Sequence, residues 1–226
     1  MNIIDVTGPI RNGMWSMGEL FPKPEVIRQS GYCEGFGEYF YTEIRGFHAQ
    51  LGTYLETPAH FFGFEKSFFV DDIPLEKLVN LGCVVLHVNK DVSDLSVHHA
   101  ITKDDLLSCG NAGEVKPGDC VVVATGWDRH WMDDAHFFSR SPYFTYDAMK
   151  WLIEKKPSII ASDTPAWENL SDPQGFFPEF YANNILMLAP LVNLSQVTAS
   201  RCAITILPLP IEEVAAAPVR AIVTEG

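Results

Sequence analysis

The chain has 226 residues, of which 47% are hydrophobic, and a formal net charge of −13 from 16 basic and 29 acidic residues. This length and composition fit one domain with a sizeable core. The negative charge repels phosphate backbones and anionic lipid surfaces, so neither nucleic acid nor a membrane is expected as a partner.

The cysteines favour a reducing compartment. They are odd in number, scattered, and without a CxxC pair: Cys33, Cys83, Cys109, Cys120 and Cys202. This pattern argues against a disulfide framework and against a cysteine zinc site. The first residues do not resemble a signal peptide, and no stretch approaches the roughly 18 apolar residues of a membrane span. We therefore expect a cytoplasmic protein.

Apolar periodicity predicts alternating strands and short helices. The predicted strands lie at 3–6, within 38–56 as one bent strand or two, and at 83–88, 120–125, 158–161, 184–188, 202–207 and 219–223. The predicted helices lie at 74–79, at 102–107 with Thr102 and Asp105 as a capping box, and at 145–155 with Thr145 as N-cap. Such alternation indicates a mixed α/β fold in a single domain, residues 1–226. A doubly wound nucleotide fold is not favoured, because no glycine fingerprint follows a strand.

The segment 50–60 carries the polar side chains that are most suggestive of chemistry. If it is extended, alternate side chains share one face, and that face carries His48, Gln50, Tyr54 and Glu56. Pro58 then interrupts the strand and can return His60 to the same place. Periodicity alone equally allows an exposed strand followed by a turn.

This segment resembles the signature His-x-Gly-Thr-His-x-Asp-x-Pro-x-His of the cyclase family, which includes bacterial kynurenine formamidases and isatin hydrolases. Four residues match, namely Gly52, Thr53, Pro58 and His60, whereas Gln50, Tyr54 and Glu56 replace His, His and Asp. Further similarities follow in the family's order at 5–7, 125–127 with Trp131, 162–165, 207–211 and 218–221. The resemblance implies a mixed-sheet fold of the cyclase-like, swivelling β/β/α type.

The resemblance also implies a metal site, which this chain alters. The family binds zinc or manganese through the first two signature histidines and the aspartate, and its last histidine acts as a base or as a ligand of a second ion. A later family histidine and glutamate fall on Phe177 and Ala189 here, so we do not expect two ions. One divalent ion of manganese, magnesium or zinc, held by Gln50, Glu56 and His60, is one hypothesis, and no ion is the other.

Six side chains receive roles at this stage. His60 and Glu56 are the candidate acid–base pair, and Tyr54 is the candidate donor to an oxyanion. Trp15 and Phe177 are candidates for substrate contact through an aromatic wall. Asp163, which follows a predicted strand, is a candidate to orient His60, although a turn-capping role is an equal alternative.

Three functions remain open. The first is a cyclase-family hydrolase or cyclase that acts on a small aromatic or cyclic carbonyl compound (amide, lactam or lactone), with at most one metal ion. The second is a metal-free enzyme of proton transfer or dehydration. The third is a non-catalytic protein that binds a small molecule. By analogy with the family, we expect a homo-oligomer, either a dimer or a tetramer.

Overall fold

The computed structural model describes residues 1–18 and 20–226. In these residues the strands are β1 Asn2–Asp5, β2 Glu25–Cys33, β3 Gly37–Arg45, β4 Tyr54–Glu56, β5 Leu81–His87, β6 Ala100–Ile101, β7 Cys120–Ala124, β8 Tyr143–Phe144, β9 Ile159–Ser162, β10 Leu186–Ala189, β11 Cys202–Pro208 and β12 Ala216–Glu225. The α-helices are α1 Ala59–Phe62, α2 Lys103–Leu107, α3 Tyr146–Glu154 and α4 Phe177–Ala182. The mixed α/β class expected from the sequence is confirmed.

The main sheet has eight strands in the order β1-β12-β11-β5-β7-β9-β10-β4. Strands β5, β7, β9 and β10 run parallel, and the other pairings in this sheet are antiparallel. The three-residue strand β4 pairs with β10 on one side and with β12 on the other. The sheet therefore closes on itself, and β4 lies at the point of closure.

Both faces of the central strands are buried. Along β5, Val84 and Leu86 join the hydrophobic cluster that also contains residues of the helices α2, α3 and α4. Cys83 and Val85 point the other way, into a second cluster enclosed by the sheet. Strands buried on two faces read as continuous apolar runs, which explains why the sequence located them well.

The helix ends test the capping predictions. Thr102 and Asp105 form the expected capping box at the start of α2. Thr145 precedes α3, although its hydroxyl makes no capping hydrogen bond, and the helix ends at Glu154. The predicted helix at 74–79 is only a turn of 3₁₀-helix, Leu75–Lys77. No helix within the described residues is both long and apolar enough to cross a membrane.

The region 38–56 contains two strands, which is one of the two alternatives expected, but the two strands belong to different sheets. Its first part, β3, pairs with β2 in a separate two-stranded sheet. Neither strand of this hairpin contains a buried residue. Between β3 and β4 the chain turns at Gly46 and Gly52, whose φ angles are +67° and +70°. Because left-handed backbone interrupts a strand, residues 46–53 form turns rather than a continuation of the strand.

Candidate active site

Strand β4 places Glu56 inside the protein. Its outer residues, Tyr54 and Glu56, line one cavity, whereas Leu55 points into the cluster enclosed by the sheet. Glu56 is only 3% exposed. The alternation predicted for these two polar side chains is therefore present, but it spans three residues only.

His60 faces Glu56 from the short helix that follows β4. Pro58 precedes α1, and His60 lies in that short helix. His60 Nδ1 is 3.7 Å from Glu56 Oε2 and 3.3 Å from Gln50 Nε2. The three residues expected to converge from the motif do so, although Gln50 comes from the turn before β4 and not from a strand.

The matching residues Gly52 and Thr53 hold this turn in place. Gly52 has a φ of +70°, and a Cβ atom there would lie 3.1 Å from Ile10. The Thr53 hydroxyl donates to the Pro190 carbonyl oxygen at 2.6 Å and accepts the Gly8 N–H at 2.9 Å. These contacts fix the turn that places Gln50 at the cavity and the start of β4 beside it.

Tyr181 is a site residue that the sequence analysis did not identify. It lies in α4, and its hydroxyl donates a hydrogen bond to Glu56 Oε1. Its ring stacks on Phe61 at 5.8 Å and on Phe177 at 5.6 Å between ring centroids. The one available signal was the i, i+4 spacing of Phe177 and Tyr181, which places two aromatic rings on one helix face.

These groups lie at one cavity of about 270 Å³. Its polar members are Gln50, Tyr54, Glu56, His60, Glu168 and Tyr181. The other lining side chains are mainly aromatic, aliphatic or thioether groups: Met17, Phe21, Phe61, Phe138, Pro165, Ala166, Trp167, Leu170, Phe177 and Met187. Phe177 therefore lies on the wall where a substrate contact was expected.

Trp15, the other aromatic residue expected to contact substrate, lies elsewhere. Trp15 is 2% exposed and packs on Trp131 and Phe137, at 5.1 Å and 4.7 Å between ring centroids. It is a core residue and does not line the cavity, so its assignment to substrate contact was wrong.

Asp163 does not orient His60. Its carboxylate is fully buried and accepts hydrogen bonds from the Thr125 N–H and hydroxyl and from the Trp127 N–H, at 2.8–3.1 Å. It therefore fixes the loop after β7. This is the turn-capping role that was the alternative. Burial raises the pKa of Asp163 to about 6.

Burial also controls the protonation of the cavity groups. It raises the pKa of Glu56, against the opposing effects of His60 and of the Tyr181 and Gln50 hydrogen bonds. Burial, together with the Glu56 charge, raises the pKa of the Tyr54 and Tyr181 hydroxyls well above their ordinary range. Both phenols therefore remain O–H donors at neutral pH. Among the residues that the structure describes, the Tyr54 hydroxyl has only the Met17 sulfur, at 3.9 Å, as a partner, so it can donate to a ligand.

His48, which the predicted polar strand face also carried, does not line this cavity. Its ring lies 4.8 Å from that of Phe21. Both ring nitrogens are buried, and neither has a hydrogen-bond partner among the residues that the structure describes. Burial lowers the pKa of His48, which favours the neutral ring.

The donor set does not fit a tightly bound divalent ion. Protein zinc sites use three or four ligands from Cys, His, Asp and Glu. No group of three such side chains occurs within residues 1–18 and 20–226. Glu56 and His60 are the two that meet, and Gln50 adds only a neutral amide. Phe177 and Ala189 offer no donor atom at the later positions.

Comparison with known proteins agrees with this fold. Residues 4–169 match the Cyclase family model, described as "Putative cyclase". The isatin hydrolase of Roseibium aggregatum is 26% identical over 248 aligned positions, covering 98% of this chain and 91% of that protein.

Solved structures show the same architecture. An isatin hydrolase bound to the product analogue thioisatinate has a TM-score of 0.77 at 22% identity, covering 99% of this chain and 92% of that one. A Bacillus stearothermophilus protein described as a predicted metal-dependent hydrolase has a TM-score of 0.71 at 21% identity, covering 98% and 97%. The family model spans well over half of the sequence, and the chain belongs to the Cyclase family.

Proposed function

We propose that this protein is a hydrolase or cyclase that acts on a small aromatic or cyclic carbonyl compound, an amide, lactam or lactone. The observation that carries the proposal is the contact between Glu56 and His60 beside an aromatic cavity. A buried carboxylate that faces an accessible imidazole is a recurrent arrangement for proton transfer.

The cavity supports a small, flat ligand. Its volume of about 270 Å³ is near the lower limit of ligand pockets, and its aromatic walls favour stacking. The similarity to an isatin hydrolase supports a bicyclic lactam as one member of the class.

His60 is the general base in this proposal. The step uses the tautomer with its hydrogen on Nδ1, directed to Glu56 Oε2 at 3.7 Å. The Gln50 amide, whose nitrogen lies 3.3 Å from Nδ1, then turns its oxygen to this side, because Nδ1–H cannot accept an N–H. Nε2 keeps its lone pair and is left to accept a proton from a water molecule at the substrate. Water adds to the carbonyl carbon while His60 Nε2 takes its proton. Glu56 orients the ring and stabilises the imidazolium that forms.

Tyr54 completes the reaction. Its hydroxyl, whose partner in residues 1–18 and 20–226 is the weak Met17 sulfur acceptor, donates to the oxyanion of the tetrahedral intermediate. When the intermediate collapses, the C–N or C–O bond breaks and His60 returns the proton to the leaving nitrogen or oxygen. Run in reverse, the same groups close a ring with loss of water.

This scheme assigns no step to a metal ion. At most one ion, of manganese, magnesium or zinc, is compatible with Gln50, Glu56 and His60, and the donor set described above makes even this a weak site. A metal-free enzyme of proton transfer or dehydration uses the same pair of residues.

A non-catalytic binding protein is the second candidate. The observation that favours it is the Tyr181 hydroxyl, which occupies Glu56 Oε1 and makes that oxygen less available to a substrate. In that case the aromatic cavity holds a ligand without chemical change.

A substrate screen separates the two candidates. Aryl formamides, lactams and lactones are tested with the wild type, His60→Ala and His98→Ala, since His98 is exposed. Turnover that is lost only in His60→Ala supports the enzyme. Ligand binding without turnover in the wild type, or full turnover in His60→Ala, contradicts it.

The assembly and location are also proposals. The hairpin β2–β3 exposes several aromatic side chains, which supports packing between copies of the chain. The five cysteines of the chain are free thiols, which supports a cytoplasmic location.

A further inference from the structure

We infer that the Tyr181 hydroxyl takes the place of a metal ion at Glu56, so that the carboxylate is held and used without a divalent cation. The inference rests on the proposed function for the use of Glu56. Its decisive measurement is metal binding, which requires no turnover. The inference and the proposed function can therefore fail separately.

Both oxygens of the Glu56 carboxylate already have neighbours. Oε1 accepts the Tyr181 O–H, and Oε2 faces His60 Nδ1 at 3.7 Å. The Gln50 amide nitrogen lies 3.3 Å from the same His60 Nδ1. An ion that used Oε1 would have to share this oxygen with the Tyr181 O–H, which already draws on its negative charge.

Movement of Tyr181 out of this position is energetically unfavourable. The residue is 2% exposed, and its ring stacks on the rings of Phe61 and Phe177. Aromatic pairs of this kind add stability beyond the burial of area. Rotation of Tyr181 away from Glu56 would therefore break two stacking contacts as well as a hydrogen bond.

The charge of the cavity also disfavours a dication. Glu168 lines the cavity, but its carboxylate accepts hydrogen bonds from the N–H groups of Gln174 and Gly175. These bonds hold the carboxylate against its own loop. Among the cavity residues within 1–18 and 20–226, Glu56 is then the one carboxylate left to balance a doubly charged ion beside aromatic walls. Desolvation of an ion with so few anionic ligands is costly.

A phenol can replace only part of what an ion does. The Tyr181 O–H fixes the carboxylate and shares its charge, but it cannot polarise a carbonyl or acidify a bound water as a metal does. The reaction then depends on carbonyl groups that are already activated. We therefore assign strained lactams, lactones and formyl groups, and not unactivated amides, to this site.

Isothermal titration with Mn²⁺ and with Zn²⁺ tests the inference on chelator-treated wild type and Glu56→Gln. We expect both proteins to show the same weak, non-stoichiometric heats. Binding of about one equivalent to the wild type that disappears in Glu56→Gln would overturn the inference.

Tyr181→Phe tests the role of the hydroxyl itself, with Tyr146→Phe as its match. Tyr146 also donates to a carboxylate, Glu179 at 2.9 Å, but at the surface. We expect Glu56-dependent Mn²⁺ affinity at least tenfold higher in Tyr181→Phe than in the wild type, and no change in Tyr146→Phe. Equal affinity in wild type and Tyr181→Phe would refute the assignment to Tyr181. If Tyr181→Phe does not fold, the comparison with Glu56→Gln decides the claim by itself.

Discussion

His60 Nδ1 faces Glu56 Oε2 at 3.7 Å, across the single turn that connects strand β4 to helix α1. The carboxylate side chain is 4% exposed and the imidazole side chain is 47% exposed. One partner is therefore fixed inside the protein, while the other reaches the solvent side of the cavity. This asymmetry suits a base that must meet both water and substrate while a buried carboxylate orients it.

Glu56→Gln should lower kcat by about 10²- to 10⁴-fold, the range for loss of general acid–base support. The amide keeps the shape of the side chain and can still accept the Tyr181 hydrogen bond, so KM should change little. Steady-state kinetics on the best substrate of the screen measure both constants. Glu212→Gln, at an exposed position, is the matched control, and an equal effect of the two substitutions would refute the role of Glu56.

Tyr54→Phe should lower kcat by about 10²-fold, near the lower end for loss of one oxyanion donor. Within the described part of the chain the hydroxyl contacts only a weak sulfur acceptor, so its removal should leave the thermal unfolding midpoint nearly unchanged. Tyr32→Phe, on the exposed hairpin, should alter neither quantity. A drop in the unfolding midpoint that matches the loss of activity would indicate a structural role instead.

Asp163 should make stability depend on pH. Because its folded-state pKa is raised from 3.8 to about 6, the folded state binds the proton more tightly than the unfolded state. Its contribution is complete below about pH 4 and declines as pH rises through about 6, by about 3 kcal/mol in total. Urea unfolding of wild type and Asp163→Asn at several pH values measures this difference. A wild-type stability that rises relative to Asp163→Asn over that interval would contradict the prediction.

The hairpin β2–β3 should mediate association of two copies of the chain. Tyr32 and Phe40 are 77% and 78% exposed, and Phe36, Tyr39 and Tyr41 are at least 40% exposed. The exposed aromatic area is about 600 Å² per copy, and two copies reach the lower limit of specific interfaces. An isolated two-stranded hairpin is also marginally stable in water without a packing partner.

Sedimentation velocity tests this contact with the double variant Tyr32→Ser/Phe40→Ser. The wild type should sediment as a dimer or larger species, and the variant should shift toward the monomer. Leu75→Ser, at another exposed apolar position, should sediment as the wild type does. A monomeric wild type would exclude the interface.

The sequence predicted best those features that depend on local pattern. Buried strands such as β5 and β7 have apolar runs, and the Thr102–Asp105 capping box is local chemistry. Gln50 was placed correctly near Glu56, but the expected reason, a shared strand face, was incorrect. The positive φ at Gly52 makes this segment a turn instead of a strand. Tyr181 was missed because its contact with Glu56 joins residues 125 positions apart. Trp15 was misassigned because an aromatic residue has the same appearance in a sequence whether it lines a cavity or a core.

The most direct test of the account is the steady-state hydrolysis of a strained lactam such as isatin by chelator-treated protein. We predict turnover in the wild type that does not change on addition of Mn²⁺ or Zn²⁺ and that falls at least 100-fold in His60→Ala. A rate that disappears on chelation and returns with metal, or that persists in His60→Ala, would contradict the account.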